Sequence, residues 1–220
     1  MLRKGGLIRV FSTQQRLIHW VHTFTFAVLA LTGLFLFFQD LRPFVIADAG
    51  TASRSLHRMG ALLMGVLPLL YLLLDYRNFF ASMRRLLTWS KVDLGWLKAA
   101  PRYYFLGDEK AMPPQDKFNT GQKLFYLVVA LGYLVFGVTG LLMWAGKGSI
   151  DPLLFMLCVL LHDLMAIAWV AFFLVHFALS AMHPLMKGAL DGMLFGWMPE
   201  EYVEHHHAKY YAEIVEKEGQ

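Results

Sequence analysis

At 220 residues, 57% of them hydrophobic and only 16% charged, the chain is too apolar for a soluble domain of its size. Its formal charge of +4 does not indicate a nucleic-acid partner, because the basic residues lie between apolar runs instead of along one face. The single cysteine, Cys158, sits inside an apolar segment, which excludes a disulfide framework and the C-x-x-C-H attachment of a c-type haem.

Four stretches carry the roughly 20 apolar residues that a helix needs to cross a bilayer: residues 17–38, 56–74, 124–144 and 153–182. The first opens "LIHWVHTF" and has the length of a spanning helix, with no small-residue cleavage site after it, so it is expected to stay attached. Lys and Arg orient the bundle. Met1–Arg16 carries four, Asp75–Lys123 nine and the tail after Met182 three, whereas the opposite side offers Arg42, Arg54, Arg58 and Lys147. The positive-inside rule then puts both termini and the central loop in the cytoplasm. The expected fold is an all-α transmembrane four-helix bundle with cytoplasmic N- and C-termini and additional interfacial helices.

Those interfacial pieces belong to the central loop, residues 75–123. Its "NFFASMRRLLTWSKVDLGWLKAAPRYYFLG" mixes aromatic rings and long cations suited to the headgroup region. The tail, residues 184–220, is polar with tyrosines at helical spacing and is expected on the cytoplasmic face or docked on a neighbour. No internal repeat stands out.

Nine histidines occur, and those inside spans need partners, because an unpaired polar group in hydrocarbon costs several kcal/mol, roughly. His162 and His176 are fourteen residues apart, which is four helical turns less about 40°, so both project from one face about 21 Å apart along the axis. That separation suits two centres stacked through the bilayer. Matching depth across spans pairs His19 with His176 at the cytoplasmic level and His57 with His162 at the outer level. Two axial imidazoles from different helices in an apolar bundle is how a b-type haem is held, whereas zinc takes three or four protein ligands. His57 is shallow in its span, so the second helix is expected to begin near "TASRS", with Thr51 or Ser53 as N-cap; the fourth span is expected to protrude outward.

The other candidates are weaker. His22 lies one turn from His19 and is its rival as ligand. Gly33, fourteen residues after His19, leaves a gap at the outer level against which a porphyrin could lie, although Gly33, Gly137 and Gly140 equally suit helix packing. His183 precedes a proline and reads as interfacial. His205, His206 and His207 read as a solvated or partner-facing patch, with metal binding a lesser alternative, and Asp163 as an outer-rim residue.

The segments "RLIHWVHTF", "LHRMGALLMG", "FNTGQKLFYLVVALGYLVFGVTGLLMW", "LLHDLMAIAWVAFFLVHF", "MHPLMKGALDGML" and "HHHAKYYAEI", in this order over nearly the whole chain, resemble the gamma, cytochrome b subunit of membrane-bound formate dehydrogenases. The resemblance implies a single membrane cytochrome b domain over residues 1–220. It would hold two haem b groups and pass electrons from an extracytoplasmic iron-sulfur beta subunit to a quinone, menaquinone or ubiquinone, near the cytoplasmic surface of a bacterial inner membrane. On the matching positions, His57 and His162 would ligate the outer haem iron and His19 and His176 the inner one.

It further implies a quinone site at "FNTGQK", where Asn119, the Gly121 N–H, Gln122 and Lys123 offer donors; without the resemblance the same residues read as a helix-start turn with Lys123 as headgroup anchor. Arg16 (inner haem) and Arg54 and Arg58 (outer haem) are positioned for propionates. No cysteine cluster or apparent molybdenum or tungsten site exists in the sequence, so formate oxidation is expected in a separate alpha subunit, and a higher oligomer of the complex is open. The rivals are the cytochrome b subunit of a nickel-iron hydrogenase or thiosulfate-type reductase and, more distantly, a small proton channel or transporter using His and Asp.

Overall fold

The computed structural model describes residues 3–38, 40–41, 49–108 and 112–219; Arg42, counted in the orientation argument, lies outside them. Four helices are long and apolar enough to cross a membrane: α1 (Thr13–Phe37), α2 (Ala49–Leu74), α5 (Thr120–Ala145) and α6 (Pro152–Phe177). Between them come α3 (Tyr76–Leu87) and α4 (Lys91–Leu106), the helical pieces expected of the central loop. After α6 follow a π-helical turn (Ala178–Met182), α7 (Lys187–Phe195), α8 (Glu200–His206) and α9 (Ala208–Glu218). The all-α transmembrane class is therefore borne out. The helices start earlier than hydropathy suggests, because polar first turns such as Thr13-Gln14-Gln15 and Thr120-Gly121-Gln122 are helical too. Since α2 begins at Ala49, Thr51 and Ser53 lie inside its first turns and neither caps it, with Ser53 buried.

The chain divides into two compact units: Thr13–Tyr76 with Gly132–Val170, and Met1–Ser12 with Arg77–Leu131 and Ala171–Gln220. In the first, α1 packs along α2. Gly60 admits the Leu29 side chain, whose Cδ2 would lie 3.1 Å from a Cβ at that position, and Gln15 at the start of α1 donates to Tyr71 Oη near the end of α2 at 2.8 Å. Phe26, Met64, Leu67, Met165 and Trp169 are buried, while Phe24, Leu73 and Leu141 are exposed, as expected of helices whose outer faces meet lipid.

The second unit contains a feature that the sequence does not announce. A three-stranded antiparallel sheet runs β1 (Arg3–Lys4), β2 (Leu7–Arg9), β3 (Trp197–Pro199), with Ile8 opposite Met198 and Arg9 opposite Trp197. Gly5 and Gly6 turn β1 into β2 with φ of +56° and +72°, a two-residue turn that side chains rarely tolerate. Ile8, Val10, Phe11, Met198, Val203 and Ile214 form its core, and Arg85 ties it to the central segment through Asp116 and Glu213. Pairing of β2 with β3 brings the segment before α1 beside the segment after α7.

Also in this unit, Asp93 joins α4 to α5. Its Oδ2 accepts from the Ser90 backbone N–H at 2.7 Å, closing the first turn of α4. Its Oδ1 accepts from Thr120 Oγ1 at 2.9 Å and Lys123 Nζ at 2.8 Å. Lys123 Nζ also donates to the Thr88 carbonyl at 2.8 Å. Burial would push the Asp93 carboxyl up, but the bonds from Lys123, Ser90 and Thr120 outweigh it and hold it below the ordinary carboxylate range. Lys123→Met leaves a buried carboxylate without its counter-ion and is expected to cost about 3–5 kcal/mol; a thermal melt in detergent checks this, with Asp93→Asn expected to restore part of the loss in the double variant.

The tail histidines respond to pH in a different window. His206 lies over Tyr202 with ring centres 4.2 Å apart, and its Nδ1 bonds Tyr103 Oη at 2.9 Å. Burial, then the neighbouring His205 and His207, lower its pKa to about 4. The unfolded segment, with a histidine pKa of about 6.5, binds more protons than the folded one between those values, so stability falls as pH drops through that window and is unaffected above it. Protection factors of α8 and α9, from which the intrinsic pH dependence of amide exchange is removed, are expected to be lower at pH 5 than at pH 7.5, and His206→Gln to flatten the difference.

Candidate functional site

The first unit brings His57 of α2 and His162 of α6 together, with ring centres 6.2 Å apart and planes inclined by 54°. A metal bonded end-on by two imidazoles, about 2 Å from each nitrogen and about 1 Å more to each ring centre, separates the centres by about 6 Å. The pair thus fits a bis-imidazole iron. Neither ring is left to orient itself. His57 Nδ1 lies 2.9 Å from Thr32 Oγ1 and His162 Nδ1 lies 2.9 Å from Thr139 Oγ1, a polar shell that metal-ligating histidines commonly have. The glycines beside those threonines face the same rings. A Cβ on Gly33 would lie 3.5 Å from His57 Cε1, and one on Gly140 3.7 Å from His162 Cε1.

Thr32 and Thr139 were not among the expected site residues, although a signal existed. The tripeptide Thr-Gly-Leu occurs at residues 32–34 and again at 139–141, in the two spans that supply no imidazole to this pair. A search for long repeats passes over three residues.

His162, Trp169 and His176 follow one another at seven-residue intervals on α6, which sets Trp169 midway along the helix between the two histidines. Trp169 is buried. Its ring meets Phe136 at 5.2 Å, Phe26 at 5.7 Å and both His22 and Tyr133 at 6.0 Å, and Phe136 in turn meets His162 at 4.8 Å. His22 is therefore flanked by the Tyr133 and Trp169 rings, and its Nε2 is buried without a hydrogen-bond partner among the described residues.

His19 and His176 belong to different units, each with its own neighbours. His19 is half-buried on α1, edge-on to Trp20 at 5.1 Å. His176 stacks on Phe125 of α5 at 4.7 Å with planes 12° apart. At the start of α5, Asn119 and Gln122 cap the helix reciprocally: the Asn119 N–H donates to Gln122 Oε1 and the Gln122 N–H to Asn119 Oδ1, each at 2.9 Å. Both amide oxygens are spent and both NH2 groups are left as donors. Gly121 faces Trp96, whose Cη2 would lie 2.8 Å from a Cβ there, and Lys123 is held by Asp93 as described above.

Of the arginines, Arg58 is exposed and lies over the Trp144 ring at 5.1 Å, Arg54 is exposed, and Arg16 is half-buried at the start of α1. The tail histidines differ among themselves: His205 is exposed, as a solvated or partner-facing patch requires, His206 is half-buried, and His207 is buried with Nδ1 2.8 Å from the Asp116 carbonyl, the last two packed against Tyr202. His183 Nε2 lies 3.2 Å from the Tyr104 carbonyl. Among the described residues no three His, Cys, Asp or Glu side chains converge to hold a metal ion.

Trp169 depends on a missing side chain. A Cβ on Gly132 would lie 2.3 Å from Trp169 Nε1, too close for any relaxed packing. Gly132→Ala is expected to displace the indole and cost about 1–3 kcal/mol, read as a lower melting temperature, whereas Gly137→Ala, with nothing within 4 Å of its Cβ, is expected to be neutral or stabilising.

The chain is similar to proteins of known function. The chain is 28% identical over 207 residues to a formate dehydrogenase cytochrome b556 subunit of Haemophilus influenzae, covering 92% of this chain and 82% of that one. It is 23% identical over 219 residues to the cytochrome b556(fdo) subunit of formate dehydrogenase of Escherichia coli K12, covering 97% and 96%. The nitrate-inducible cytochrome b556(Fdn) subunit of the same organism is 25% identical over 209 residues, covering 93% and 90%. These are the relatives that the ordered motifs led us to expect. The family described as prokaryotic cytochrome b561 matches residues 10–196, a range that spans all four long helices and includes His19, His57, His162 and His176, and the chain belongs to that family.

Proposed function

We propose that the chain is the membrane subunit of a formate dehydrogenase, holding two haem b groups and carrying electrons from an extracytoplasmic iron-sulfur subunit to a quinone near the cytoplasmic surface. The observation that carries this reading is the His57–His162 pair, two imidazoles on different helices at bis-imidazole separation. The names of the relatives supply the formate dehydrogenase context.

Bound haem supplies one-electron redox chemistry; the chain's part is to hold, orient and insulate it. His57 and His162 are the proposed outer ligands, and His19 and His176 the inner ones. His22 is the poorer inner ligand, its ring being flanked by Tyr133 and Trp169. Arg58 and Arg54 are the proposed propionate partners at the outer level and Arg16 at the inner. The aromatic cluster about Trp169 fills the bundle between the levels and keeps water out.

The proposed quinone site is the start of α5. A quinone carbonyl needs donors, and the reciprocal cap leaves NH2 groups on Asn119 and Gln122, with the Gly121 N–H and Lys123 ammonium nearby in sequence. The excess of Lys and Arg in the N-terminal arm, central loop and tail supports a cytoplasmic placement of this surface. A catalytic alpha subunit with molybdenum or tungsten would complete the complex.

A reduced-minus-oxidised spectrum of the purified chain tests the proposal. Two b-type haems per chain are expected, with His57→Ala or His162→Ala removing one, His19→Ala or His176→Ala the other, and His22→Ala neither. A chain without b-type absorption sinks it and points to a histidine and aspartate proton relay instead. Asn119→Leu in the assembled complex is expected to retain both haems and lose quinone reduction.

A further inference from the structure

The outer imidazoles are held by one device used twice. Thr32 of α1 faces His57 Nδ1 and Thr139 of α5 faces His162 Nδ1, each through Oγ1 at 2.9 Å, and both threonines are buried, at 6% and 4% exposure. Each hydroxyl also contacts the carbonyl four residues earlier in its own helix, Thr32 that of Val28 at 2.7 Å and Thr139 that of Val135 at 2.6 Å.

A hydroxyl has one proton and a carbonyl none, so two oxygens at that distance need the hydroxyl proton between them. The proton of each threonine is therefore committed to its own helix, and at the imidazole Oγ1 acts only as acceptor. The hydrogen on each ring must then sit on Nδ1, which leaves the Nε2 lone pair free for a metal.

We propose that Thr32 and Thr139 are positioning residues: they select the Nε2-ligating tautomer of His57 and His162, stop ring rotation, and lower the reduction potential of the outer haem. The last effect follows from electronics. An acceptor at Nδ1–H makes Nε2 a stronger donor, and a stronger donor favours ferric over ferrous iron. The inference rests on the two-haem reading above and adds the residues that set one centre apart from the other.

Potentiometric titration of the b-type absorption in the assembled complex tests it. Valine resembles threonine in shape and lacks the acceptor, whereas serine keeps it. Thr32→Val and Thr139→Val are each expected to raise the midpoint potential of one haem, leave the other at its wild-type value, and weaken retention of the affected haem about 10–100-fold. Thr32→Ser and Thr139→Ser are expected to titrate as wild type. If valine prevents assembly, Thr32→Ala and Thr139→Ala remove the same acceptor with less volume and are expected to give the same shift.

Valine or alanine variants that keep both potentials and full haem content overturn the inference while leaving the two-haem reading intact. Serine variants shifted as far as valine overturn it too, since the acceptor would then not be the cause. A wild-type complex without two b-type signals overturns the underlying reading instead.

Discussion

Inside a bilayer a polar group can bond only to protein, and that constraint shapes the four long helices. The threonines in the interior of these helices turn back on their own helix, and some also meet a partner from a neighbour. Thr25 takes the first course, donating to the Val21 carbonyl at 2.7 Å. Thr32 and Thr139 take both at once, giving the proton to their helix and the lone pair to a histidine of the next. The imidazoles are thereby oriented by groups that lipid cannot displace, and the bonds that satisfy them also set which nitrogen is available for chemistry.

The second unit, much of which lies outside the four long helices, follows a different logic. Its stability comes from a small apolar core about Ile8, Met198, Val203 and Ile214 and from ionic contacts that are only partly dry. The Asp93–Lys123 pair is the exception: both side chains are buried, with side-chain exposures of 4% and 8%. Such a pair adds little net stability over an apolar one but makes loss of either partner costly, so it serves to fix where α5 begins relative to α4. That start is the proposed quinone-facing segment. Cap, ion pair and the Gly121–Trp96 approach all fall within five residues, 119–123, so positioning and binding groups are interleaved there.

How much of this could be read without coordinates depends on range. The spans, the helical pieces in the central loop and the meeting of His57 with His162 are consequences of local hydropathy and helical geometry, and all were legible. The start of α2 was legible within a few residues from the position of His57, but the starts of α1 and α5 were not, because Thr13 and Thr120 begin their helices in polar turns that a hydropathy window averages away. The three-residue strands β2 and β3 were invisible for a related reason. A strand of two or three residues has no period to detect, and its partner lies about 190 residues away in the sequence. His206 and His207 misled because their exposure is decided by packing against Tyr202 and, for His206, Tyr103, which spacing alone does not show.

By itself, then, the sequence determined the class of molecule, the number and order of spans and the residue types able to hold a metal. Apolar length and charge asymmetry act locally and survive any arrangement of neighbours. Only the tertiary structure decided which hydroxyl serves which imidazole, that both ends of the chain join one sheet, and that Asp93 reaches Lys123. Each of these is a contact between segments distant in the chain, and its existence depends on packing that no single segment encodes.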